Sequence, residues 1–242
     1  MPQVFFDINQ LPQEEGIIFM GVSMSKIGNT QSAEKCVKYT EHLGTKITKT
    51  EGIGMVMCYG DYLYFHSEEK ANILRDRYKE LMISHKSGFL NLLLKNNAWI
   101  KKAFSFSTFG QIMLDNGEVF KAALDKVTSL YMNDERFKIY VHEDASLAKK
   151  EANDLGVMFI LEEITLFYLA AKGELNFNNH FVAGTEKWIL QAYPGKPLKS
   201  EIYLFQINPL KLSNPKNKYE NHFYDLEKKI LYDYLKVDLF IL

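Results

Sequence analysis

Residues 16–26, GIIFMGVSMSK, constrain this chain more than any other stretch. The apolar run 17–20 breaks at Gly21 and leads through Val22 to Ser23. A short apolar run bounded by glycines predicts a buried strand that stops abruptly and delivers a hydroxyl to its carboxyl end. In open α/β sheets that end is where ligands bind. Ser23 is therefore a candidate nucleophile whose partners must come from elsewhere in the chain.

The 242 residues suffice for a sizeable core and predict one domain over 1–242. A formal net charge of -1 gives no global reason to expect nucleic-acid binding, so a local basic patch would have to carry it. No apolar run reaches the roughly 18 residues of a membrane-spanning helix. The first 16 residues lack the three regions of a signal peptide. The expectation is a cytoplasmic protein with no membrane partner. Cys36 and Cys58 read as packed thiols, and the histidines at 42, 66, 85, 142, 180 and 222 show no metal spacing. There is no phosphate-binding loop, and the Gly52/Gly54 pair alone is a weak dinucleotide signal. No metal and no cofactor is expected.

Along the chain, residues 31–42 predict a helix and 53–59 a second buried strand, which makes a parallel βαβ unit and an α/β fold. A helix over 67–83 carries Lys70, Arg75, Arg77 and Lys79 around an apolar stripe. After an apolar segment at 89–94, residues 104–113 read as a strand, and 118–131 and 136–150 as helices. Residues 153–172 form the most apolar helix-length stretch, too apolar to lie on the surface, yet Glu162 and Glu163 sit in its middle. A carboxylate there must be paired, hydrogen-bonded, protonated or turned to a cavity. A polar loop over 173–187 precedes a strand at 188–193, broken by Pro194 and Gly195. Residues 202–207 read as another strand, and 219–234 as an amphipathic helix.

Serine hydrolase chemistry would favour G-x-S-x-G, but the run here is Gly21-Val22-Ser23-Met24-Ser25 and no histidine partner is evident. A hydroxyl at a strand end, a carboxylate in a buried helix and Tyr193 before a Pro-Gly turn are together the parts that acyl transfer needs.

GVS at 21–23, FILEEITLF at 159–167 and the Tyr-Pro pair at 193–194 together resemble the tRNA-dependent cyclodipeptide synthases, in the subgroup with a Tyr-Pro signature. The resemblance implies a monomeric Rossmann-like domain, its mainly parallel sheet flanked by helices, related to the catalytic domain of class I tyrosyl- and tryptophanyl-tRNA synthetases. It implies that two aminoacyl-tRNAs are joined into a cyclic dipeptide by a ping-pong route. Ser23 would carry the first aminoacyl group as an ester, with Ser25 as the fallback nucleophile. Glu163 would hold the substrate ammonium, and Tyr193 would position the aminoacyl group. Phe19, Gly21, Val56, Cys58 and Phe159 would line the substrate pocket, and Lys70, Arg75, Arg77, Lys79 and Lys86 would meet tRNA. Two positions depart from the family pattern: Phe159 stands where a tyrosine is usual, and Thr165 where a proline is usual. The Met24-Ser25-Lys26 run resembles a class I synthetase signature but follows the first strand, where that signature does not occur. A non-catalytic aminoacyl-tRNA-binding protein on the same fold is the second reading.

Overall fold

The organising strand is β2 (Gly16–Val22), in which every residue is buried. In the computed structural model it is the middle of the five parallel strands of a seven-stranded sheet of order β1-β7-β6-β5-β2-β3-β4. The structure describes residues 3–5, 16–49, 53–61, 68–96, 104–147, 154–177 and 188–239. Parallel pairing joins β2 to β3 (Ile53–Tyr59) on one side and to β5 (Trp188–Tyr193) on the other. The parallel set continues outward to β4 (Phe104–Thr108) and β6 (His222–Asp225). The edge beyond β6 is antiparallel, where β7 (Ile230–Asp233) and β1 (Gln3–Phe5) complete the sheet. Successive strands run outward from β2 to β4, and the chain then returns to β2's other side to begin again with β5. This reversal is the Rossmann-type switch point, and the crevice between the carboxyl ends of β2 and β5 is the place such sheets offer a ligand.

The pleat sorts the strand residues onto two faces with period two. Ile18, Met20 and Val22 pack with Met55, Met57, Tyr59, Trp188 and Leu190 beneath α1 (Ala33–Lys49) and α2 (Glu68–Asn96). Ile17 and Phe19 join Val56, Cys58 and Ile189 on the other face. That face is covered by α3 (Phe109–Asp115), α4 (Gly117–Asn133), α5 (Glu135–Leu147), α6 (Asp154–Lys172) and α7 (Lys199–Ile207). As the sequence predicts, α6 is central: Ile160, Leu161, Ile164, Leu166, Tyr168 and Leu169 are all buried.

Four assignments change. The stretch 104–113 is a strand only as far as Thr108, whose hydroxyl accepts the Gln111 N–H at 3.1 Å and caps α3. Residues 202–207 belong to α7, not to a strand. The opening N–H groups of α7, from Lys199 and Ser200, donate to the Asp144 carboxylate of α5 at 3.2 and 2.8 Å. Residues 219–234 hold the β6–β7 hairpin in place of a helix. Asp225 Oδ1 accepts N–H bonds from Glu227 (2.9 Å) and Lys228 (3.1 Å) to make the turn, and Lys229 takes a left-handed φ of 57°. The apolar segment 89–94 is absorbed into α2. Within the loop 173–187, positions 178–187 lie outside the described residues.

Candidate active site

The backbone at the end of β2 is fastened before any functional group is placed. Val22 C=O accepts the Gly60 N–H at 2.9 Å, which ends the ladder with β3. The chain then winds through a turn in which the Lys26 N–H donates to Ser23 C=O at 2.9 Å. The fully buried Gln31 closes this turn back onto the strand. Its Oε1 accepts the Ser23 N–H at 2.8 Å and its Nε2 donates to Gly21 C=O at 3.0 Å. His85 of α2, held by the Tyr59 hydroxyl at 2.8 Å, stands 2.9 Å from the Gln31 carbonyl. Ser23 is thus presented from a braced backbone, with its Oγ 3.0 Å from Ser25 Oγ.

Gly21, Val22, Ser23, Gly60, Phe109, Phe159, Glu163 and Tyr193 line one cleft at this point. Phe159 and Glu163 arrive together because they lie one helical turn apart on α6. Phe167, one turn further, packs edge-on against Phe19 and Phe109. A Cβ at Gly21 would stand 2.9 Å from Phe167 Cζ, so the missing side chain is what lets that ring close on the strand, and 3.5 Å from Tyr193 Cδ2, an ordinary contact. Glu162, displaced around the helix from Glu163, is buried and does not line the cleft. The structure therefore brings Ser23, Glu163, Tyr193, Gly21 and Phe159 together. Phe19, Val56 and Cys58 lie fully buried in the core under the cleft and are not among its lining residues. Burial raises the Cys58 thiol well above its ordinary pKa.

Arg77, Lys79 and Lys86 are exposed on α2, with Lys86 Nζ 4.7 Å from the centre of the Phe106 ring. Lys70 and Arg75 have helical backbone, but their side chains lie outside those described.

Gln31 and Lys26 are site residues that reading the sequence missed, and Glu201 is a buried carboxylate that feels the Glu163 charge. Lys26 Nζ donates to the Tyr193 hydroxyl at 2.9 Å. Its pKa is lowered by desolvation, with the Glu163 charge acting in the opposite direction. Glu201, buried on α7, accepts hydrogen bonds from Gln191 Nε2 and, at 2.8 Å, from the Tyr234 hydroxyl. Burial, opposed by those two hydrogen bonds and reinforced by the Glu163 charge, raises its pKa from 4.5 to about 7. The folded state then binds a proton that the unfolded state releases, so this contribution to stability is full below pH 4.5 and is lost as pH rises through about 7. Urea midpoints of wild type and Glu201→Gln are expected to diverge from about pH 5 to about pH 8, with wild type losing ground. A pH-independent difference would mean that Glu201 titrates as an ordinary carboxyl.

No family model matches the sequence, and no curated protein matches it. Solved structures do. A cyclodipeptide synthase from Staphylococcus haemolyticus superposes with a TM-score of 0.52 at 13% identity, over 84% of this chain and 87% of that one. AlbC, a cyclodipeptide synthase from Streptomyces noursei, gives 0.50 at 12% identity, over 74% and 82%. A Mycobacterium tuberculosis protein gives 0.50 at 13% identity, over 84% and 82%, and its structure is described as demonstrating that cyclodipeptide synthetases are related to type I tRNA synthetases. At this level of identity the likeness establishes architecture: the chain has the fold of the cyclodipeptide synthases.

Proposed function

We propose that this chain is a tRNA-dependent cyclodipeptide synthase of the Tyr-Pro subgroup. The observation that carries the proposal is the convergence of Ser23, Glu163 and Tyr193, from three separate elements, on one cleft at the switch point of a sheet with this fold. In the first half-reaction the Ser23 oxygen attacks the aminoacyl carbonyl carbon, and its proton passes to the departing ribose oxygen of the tRNA. One ester replaces another, which is nearly isoenergetic and needs no nucleotide triphosphate. Glu163 holds the ammonium of the bound aminoacyl group by charge and hydrogen bonding. In the second half-reaction the amine of another aminoacyl-tRNA, deprotonated with the help of Glu163, attacks the seryl ester and frees Ser23. The remaining amine then closes the ring on the second ester and releases the second tRNA. Tyr193 positions the aminoacyl group and then the dipeptidyl group. Phe159 supplies an apolar wall where the usual tyrosine would add a hydroxyl. Thr165, in place of the usual proline, returns its hydroxyl to Leu161 C=O at 2.6 Å and leaves the helix unbroken.

Expression in bacteria followed by mass spectrometry of the medium is expected to reveal 2,5-diketopiperazines. A soluble protein that yields none, yet binds aminoacyl-tRNA, would favour the non-catalytic reading, which the Phe159 ring in the cleft also suits. The exposed Arg77 and Lys79 of α2 are the proposed tRNA contacts. Arg77→Glu with Lys79→Glu is expected to weaken tRNA binding and to reduce the slope of log affinity against log salt by about 1 for each phosphate that is no longer neutralised. An unchanged slope would move the tRNA surface off this helix.

A further inference from the structure

A lysine on an exposed turn ordinarily keeps its rotamer freedom. Lys26 gives it up. Its residue surface is largely exposed, but the ammonium turns inward across the mouth of the cleft, from the end of β2 to the end of β5. There it donates to the Tyr193 hydroxyl oxygen at 2.9 Å and stands 4.9 Å from the centre of the Tyr193 ring. The turn explains how it reaches this place. The bond from Lys26 N–H to Ser23 C=O folds four residues, Ser23 to Lys26, into one turn, so the lysine and the serine leave the strand end together.

The direction of the hydrogen bond has a chemical consequence. An ammonium can only donate, so the phenol oxygen is the acceptor. The phenol has one proton of its own, which stays near the ring plane and points away from the incoming ammonium. Tyr193 lines the cleft with Ser23 and Glu163, so that proton can serve a group held between them. We infer that Lys26 is a positioning residue of this site: its ammonium fixes the Tyr193 phenol so that the hydroxyl proton is directed to the aminoacyl group held between Ser23 and Glu163. The inference rests on the aminoacyl-transfer reading and deepens it.

Among the described residues, the groups facing Lys26 are the Tyr193 phenol from β5 and the Glu163 carboxylate from α6, with Glu201 of α7 coupled in turn to Glu163. Its own turn contributes the uncharged Ser23 and Ser25. Burial lowers the lysine pKa below 10.5 while Glu163 opposes the shift. The working form is the ammonium, so the orientation of Tyr193 is lost as pH rises through that lowered value.

The test uses Lys26→Met, which keeps the stem and removes the donor, and Lys26→Arg, which keeps a charge that does not titrate in this range. The first readout needs no substrate. In protein labelled at tyrosine Cζ, with the Tyr193 resonance assigned through Tyr193→Phe, Lys26→Met is expected to move that resonance and Lys26→Arg to restore most of the shift. An identical resonance in all three proteins would overturn the contact. The second readout is the rate of cyclic dipeptide formation. Lys26→Met is expected to lower kcat by about tenfold or more with KM for aminoacyl-tRNA nearly unchanged. Lys26→Arg should recover most of kcat and move the alkaline limb of the pH profile upward. A loss confined to KM would assign Lys26 to tRNA binding and overturn the positioning role, as would a pH limb that stays put in Lys26→Arg. If the tyrosine resonance responds as expected but the wild type forms neither ester nor cyclic dipeptide, the aminoacyl-transfer reading fails while the Lys26–Tyr193 contact stands.

Discussion

Ser23→Ala is expected to abolish covalent aminoacyl labelling and to lower cyclic dipeptide formation by about a thousandfold or more, the scale at which removal of a covalent nucleophile shows. The substitution removes one oxygen and leaves the scaffold in place. The Ser23 N–H still donates to Gln31 Oε1, and the Ser23 carbonyl still accepts from Lys26 N–H. Loss of activity would therefore not be a folding defect, and an unfolding free energy from urea within about 1 kcal/mol of wild type would verify this. Incubation with labelled aminoacyl-tRNA, denaturation and intact-mass measurement reads the ester directly. The necessary control is Ser25→Ala, because Ser25 Oγ is only 3.0 Å from Ser23 Oγ. Ser25 is exposed and does not line the cleft, so its alanine variant should keep the label. A label that survives Ser23→Ala and disappears with Ser25→Ala would transfer the nucleophile's role to Ser25.

Gly16→Ala is expected to destabilise the protein by about 3 kcal/mol, at the upper end of the usual cost of overpacking a core. Gly16 pairs with Trp188 across the β2–β5 register, and a Cβ there would overlap the indole ring at Cε2 and Cδ2. The obstacle is a rigid ring and not the tip of a flexible chain. Trp188 is 2% exposed and packs edge-on to Tyr219 with ring centres 5.6 Å apart, so its neighbours leave the ring no direction in which to retreat. Equilibrium urea unfolding would read the loss as a lower midpoint at unchanged slope. The double variant with Trp188→Leu should cost less than the sum of the single ones, because removing the ring removes the overlap. Strict additivity would show that the glycine is needed for some other reason.

The parallel half of the fold was legible because buried parallel strands carry continuous apolar runs. The stretches 16–22, 53–59 and 188–193 all have this character, and α6 is long and apolar around its circumference. The misread elements owe their form to partners distant in sequence or to local polar turns. For α7, residues 202–207 alone look like a strand, and Asp144 supplies the helix cap from α5. For the β6–β7 hairpin, Phe223, Leu226 and Ile230 mimic a helical stripe, but Asp225 collects the turn N–H groups and reverses the chain. The site divides in the same way. Ser23 and Tyr193 could be found because each ends an apolar strand before a break. Choosing between adjacent Glu162 and Glu163 needed the resemblance, since either could have faced a cavity. Gln31 lies in a polar run with no periodic signal, and its two bonds to the strand end exist only once the turn is closed. The Ser23-x-x-Lys26 spacing was visible, but what the lysine reaches lies at position 193.

The pairing of β2 with β5 also sets when the cleft can exist during folding. β2, β3 and β4 can associate from nearby parts of the chain, whereas Tyr193 arrives only when Gly16–Met20 meets Trp188–Ala192. That pairing closes the longest loop in the parallel sheet, and contacts of such sequence separation are slow to form. A chain still emerging from the ribosome can present the Ser23 turn and the basic face of α2 well before β5 is available. It would hold Ser23 without Tyr193, so a cleft carrying both groups would appear only with the β2–β5 contacts and could serve as a kinetic marker of that pairing.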